Sequence, residues 1–164
     1  MKACKVLFLL SLALVSHAEM SHEEPNKMQG VESLSPEIRL LLNQEMIAIQ
    51  KGMMAIVPAY ASGNMEEVAS IAKEIKNSYI LAQNLTQEQR HELHNKLPTS
   101  FIQLDEKFHY YAGMLEHVAK NRKNELISFY FAKLSESCAG CHSLHAKHRF
   151  PGFEKTTETK AHSH

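Results

Sequence analysis

Near the end of the chain two thiols and an imidazole stand together, in Cys138-Ala139-Gly140-Cys141-His142. Side chains of these types at this spacing have four chemistries open to them. A disulfide between the two cysteines leaves the histidine without a role. A redox-active thiol pair belongs at the start of a helix that follows a strand, where the helix dipole lowers a thiol pKa; here the pair lies at the far end of a chain with no strand-like alternation. A zinc site wants four ligands, and His145 and His148 would have to be recruited to complete one. The spacing C-x-x-C-H reads most directly as covalent haem attachment. Two thiols three residues apart can each form a thioether with one of the two vinyl groups on the ring. The next residue, a histidine, then lies under the iron and supplies its proximal nitrogen. Alanine and glycine between the cysteines let the backbone lie close to the ring edge. The reading is one covalently bound haem c, held by Cys138 and Cys141 and ligated by His142.

The elements that must position this group are all helical. Ser35-Pro36-Glu37 has the layout of a helix start, with a capping residue, proline in the first turn and an acid behind it. Leu42, Met46, Ile49, Met53 and Ile56 then recur at three- and four-residue steps, on one stripe. Pro58 is expected to bend or loosen the helix near its end, and Ser62-Gly63-Asn64 to close it. Asn64 caps a second helix whose buried side runs from Met65 through Ile75 and Tyr79 to Ala82. Thr86-Gln87-Glu88-Gln89 matches a capping box, predicting a short helix to Lys96 that Leu97-Pro98 stops. A third long helix starts at Thr99 or Ser100, with Phe101, Leu104, Phe108, Tyr111, Leu115 and Val118 inward. A fourth carries Leu126, Ile127, Tyr130, Phe131 and Leu134 into the cysteine segment. Four long amphipathic helices with short connections predict an all-α antiparallel bundle.

The position of the motif in the last helix, the Pro36-Glu37 start, the Ala61-Ser62-Gly63 break and the CAGCH motif together resemble the cytochrome c′ family, including its low-spin relatives. The resemblance covers about residues 35–150. It implies an up-down-up-down four-helix bundle with the haem attached through the C-terminal motif. It also implies a distal residue on the first helix: an apolar side chain in high-spin members, a methionine sulfur in low-spin ones. Met46, ten residues after Pro36, falls close to that register and is the candidate sixth ligand. Met53 shares its stripe two turns on, while Met54 lies about 100° round the helix from Met53. All three are open to the reading of core methionines that fill gaps. Pairing of two copies through the first two helices is a further implication. The chain departs from the family pattern after the motif, where an aromatic and a basic residue are expected two and three positions on. Here Leu144 and His145 stand there, leaving Lys147 or Arg149 as the basic group. His109, within Phe108-His109-Tyr110-Tyr111, could approach a haem edge or serve as a hydrogen-bonded histidine of the core or rim.

The N-terminus has a different character. A basic start with Lys2 and Lys5, the apolar run of residues 6–15 and Ser16-His17-Ala18 form the layout of a cleaved secretory signal, with cleavage expected after Ala18. The run is too short for a membrane span of about 20 residues, and Cys4 precedes it, which does not suit lipid attachment. No membrane anchor is therefore expected. The divisions are a signal peptide over 1–18, a flexible polar lead over 19–34, the bundle over 35–150 and a polar tail over 151–164. The 164-residue chain carries 18 basic and 18 acidic residues, and loss of Lys2 and Lys5 leaves a slight acidic excess. That balance gives no pull toward nucleic acid. The reading is a periplasmic electron carrier meeting redox partner proteins there. Its alternative is a five-coordinate haem module that binds nitric oxide or carbon monoxide. No acid/base pair or nucleophile constellation points to an enzyme.

Overall fold

A computed structural model describes residues 30–154; the signal-like segment and most of the terminal tail lie outside the described residues. Pro36 opens α1, Pro36–Ala61, as the residue type suited to a first helical turn. Ser35 caps it without using its side chain, and its backbone N–H instead donates to Glu92 Oε1 at 2.6 Å. α1 runs through Pro58 and closes at Gly63, whose φ of 75° is readily available only to glycine. Asn64 then caps α2, Met65–Lys76, by accepting from the Glu67 N–H. A four-residue turn of helix, α3, spans Leu81–Asn84. α4, Gln87–Lys96, opens on the reciprocal capping box of Thr86 and Gln89. α5 spans Thr99–Lys120 and α6 Asn124–His145. Among the described residues there is no strand, and all the regular structure there is helical.

α2 ends earlier than its apolar period suggests. Ile75, Tyr79 and Ala82 continue the spacing, yet the helix stops at Lys76 and Ala82 is exposed. The cause is a carboxylate from another element. Glu45 on α1 is 1% exposed. Its Oε1 accepts from Tyr79 N–H at 2.9 Å and its Oε2 from Ile80 and Leu81 N–H at 2.6 and 3.1 Å. Three backbone donors held by one buried acid are lost to a continuing helix. Ser78 takes a φ of 58° to turn the chain there, and Leu81–Asn84 restarts on the captured donors.

α2 packs on α5 and on α1, and α5 packs on α6. α2 and α5 each bury alanines, Ala69 and Ala72 against Ala112 and Ala119, and small side chains let helices approach closely. The main core gathers Ile56, Val68, Ile75, Leu115, Ile127 and Leu134. A second cluster of Leu34, Ile38, Leu42 and Leu97 closes the other end of α1 against α4. Residues 30–34, at the end of the polar lead, are anchored: Gly30 N–H donates to the Lys96 carbonyl at 2.9 Å, and Leu34 is 3% exposed. Leu126, read as part of the inward stripe, is instead 43% exposed in the first turn of α6.

Candidate functional site

Cys138, Cys141 and His142 lie in the last two turns of α6. At offsets of three and four residues they fall within an arc of about 100° on one helix face. That face looks into a cavity of about 560 Å³ between α1, α5 and the end of α6. The volume is within the roughly 300–1,000 Å³ common for cofactor sites. Phe101, Leu104 and Phe108 of α5 line one side, and Leu42, Met46, Ile49 and Met53 of α1 another. Exposed Arg39 and Arg149 also line it, and Asp105 adds a carboxylate.

Both thiols are free and half-buried. Burial pushes the Cys138 thiol up, and it pushes Cys141 up to about 11, with the charges of Asp105 and Cys138 adding to the effect. Their place near the C-terminal, negative end of α6 acts in the same direction. Thiols held protonated in this way react slowly in disulfide exchange. The zinc alternative finds no support in the geometry. Among the described residues no three histidine, cysteine or acidic side chains gather as a metal-ion site. His145 instead meets the Phe101 ring edge-on at 5.4 Å, and His148 Nδ1 lies 3.4 Å from Glu32.

His142 is half-buried, and its pKa is driven down by burial first and by the Arg149 charge second. The imidazole is therefore neutral at pH 7, the form that offers a lone pair to a metal. Its ring lies flat against Phe150, with centroids 4.3 Å apart and planes 9° from parallel. Arg149 is the basic group near His142; Nη1 also donates to Asn43 Oδ1 of α1 at 3.1 Å. Lys147 is exposed and does not line the cavity.

Of the three methionines, Met46 and Met53 line the cavity, while Met54 is 67% exposed on the other side of α1. His109 does not line the cavity. Its Nδ1 lies 2.8 Å from the Ile75 carbonyl and its Nε2 3.6 Å from Asp105, so it ties α5 to the end of α2. Burial opposes its charge, but Asp105, the Ile75 carbonyl and Glu45 outweigh that and raise its pKa. Sequence reasoning passed over Phe150, Asn43, Asp105 and Glu45. Phe150 reaches the site only through the turn after α6, and Asn43 of α1 is joined to that turn by Arg149, so no local pattern marks either. Comparison of the chain with protein-family models, curated proteins and solved structures found no match.

Proposed function

We propose that the chain is an exported monohaem c-type cytochrome of the cytochrome c′ type, working as an electron carrier in the periplasm. The observation that carries this reading is the convergence of Cys138, Cys141 and His142 on one cavity that Met46 and Met53 line from α1. In this reading α1, α2, α5 and α6 are the four helices of an up-down-up-down antiparallel bundle. The signal-like N-terminus directs export, and no nucleic acid or membrane anchor is involved.

The donor set suits the group. Two protonated thiols supply sulfur to the two vinyl positions, and neutral His142 supplies nitrogen to the iron. The apolar walls from α1 and α5 suit the ring faces, and the exposed guanidiniums of Arg39 and Arg149 suit its carboxylate edge. When bound, the haem supplies one-electron exchange between ferric and ferrous iron. The protein's own residues do the rest. Cys138 and Cys141 tether, His142 ligates, Met46 offers a soft thioether that favours ferrous iron, and the Leu42–Ile49 stripe and Phe108 keep water from the site.

A second reading draws on Leu42, which lines the cavity one turn before Met46. With Leu42 rather than Met46 over the distal face, the iron would stay five-coordinate and take nitric oxide or carbon monoxide. The visible spectrum of the purified protein in both redox states separates the two. The carrier reading predicts a low-spin six-coordinate spectrum with slow carbon monoxide uptake. A high-spin spectrum with fast uptake assigns the gas-binding role, and a colourless protein rejects both.

A further inference from the structure

Ligating histidines ordinarily have their ring plane set by a hydrogen bond from the nitrogen that does not face the metal. His142 has no such bond among the described residues; burial and Arg149 are what act on its ring. What touches it is Phe150, flat against the imidazole at 4.3 Å. Phe150 is 40% exposed and belongs to neither core cluster. It arrives on a hydrogen-bonded turn beyond the end of α6, in which its N–H donates to the carbonyls of Ala146 and Lys147 at 3.1 and 3.0 Å. That turn is tied to the opposite wall at two points. Arg149 donates to Asn43 of α1, and His148 meets Glu32 ahead of α1.

Resting on the haem reading, we infer that Phe150 is a positioning residue: it fixes the imidazole plane of His142, and the strap of residues 146–153 holds it there through Asn43. A stacked ring blocks rotation about the bond to the iron as a hydrogen bond would. It adds no charge and no proton, so the neutral imidazole is preserved. Contact between two flat rings adds to simple burial and so favours one orientation of the imidazole over the others.

The test uses the purified full chain as wild type, Phe150→Leu, Phe150→Tyr and Asn43→Ala. Ferric paramagnetic resonance reports the imidazole plane. Wild type and Phe150→Tyr should share one sharp set of g-values, Phe150→Leu should lose it to a spread of species, and Asn43→Ala should broaden it. Wild-type g-values in Phe150→Leu overturn the proposal. Should the protein carry no haem, the functional reading fails on its own, and proton resonance of the His142 ring still decides. The upfield displacement by Phe150 must be present in wild type and Phe150→Tyr and lost in Phe150→Leu. Its absence from wild type, or its persistence in the leucine variant, refutes the stack. An unchanged thermal melt of Phe150→Leu excludes general unfolding as the cause of a positive result, and a collapsed melt overturns the positioning role.

Discussion

Met46 is half-buried and touches both core clusters as well as the cavity. That double contact is what a gap-filling methionine and an axial ligand have in common, and the difference between them is spectroscopic. In the electron-carrier reading the sulfur completes the iron's coordination. Met46→Ala is then expected to convert a low-spin spectrum to a high-spin one, lower the reduction potential and make carbon monoxide binding fast. Met53→Ala, two turns along the same wall, should leave the spectrum unchanged and cost about 0.5–3 kcal/mol of stability as the truncation of a half-buried side chain. Absorption spectra and denaturant midpoints of the two variants check the pair. An unaltered spectrum in Met46→Ala, or a spin change in Met53→Ala, contradicts the assignment.

Two long-range contacts meet near the end of α2, and each makes a prediction. Glu45 holds three backbone N–H groups from a buried position on α1. Glu45→Ala leaves those donors without an acceptor, at roughly 1–3 kcal/mol for a buried group stranded in this way. The denaturant midpoint should fall by the equivalent of about 3 kcal/mol, and a loss below about 0.5 kcal/mol would show that water replaces the carboxylate. His109 ties α5 to the last carbonyls of α2, and its pKa is raised above the ordinary 6.5. The folded state thus keeps a proton that the unfolded chain has already released, so stability from this group is full below about pH 6.5 and is lost as pH rises through the folded-state pKa. His142, with its pKa driven down, works in the opposite sense, so the comparison must be wild type against His109→Gln. The stability gap between those two should shrink with rising pH; a constant gap contradicts the linkage. Much of the helix order was readable in the sequence because its signals are local: Pro36, the Asn64 cap, the Thr86–Gln89 capping box and Pro98 each act within a turn. The end of α2 was not, because Glu45 lies 34 residues from the N–H it meets first. Gly52 is a similar case. No local signal marks it, yet a Cβ there would collide with the Tyr79 hydroxyl. At the site, the helical period separates Met54 from the Met46–Met53 wall, but nothing in the periodicity brings Phe150 back onto His142.

Across the whole molecule the apolar stripes of α1, α5 and α6 converge on a space and do not fill it. With no group bound, the apolar side chains that line this open space lack packing partners, at a cost on the order of several kcal/mol. A domain of this size has only about 5–15 kcal/mol of net stability, so a cost of that order decides whether it folds. The haem-free chain is expected to lose its cooperative thermal transition while keeping helical circular dichroism, and a native-like melt without haem would contradict this. That dependence makes covalent attachment the claim on which the other expectations stand. It is tested most directly by making the full chain, and its Cys138→Ala/Cys141→Ala variant, in a bacterium that attaches haem to exported cytochromes, then treating both with acidified organic solvent. Haem should stay with the wild-type polypeptide; in the double variant it should pass into the solvent or never have been taken up. Haem extracted from the wild-type chain, or a wild-type chain exported without any, would contradict covalent attachment.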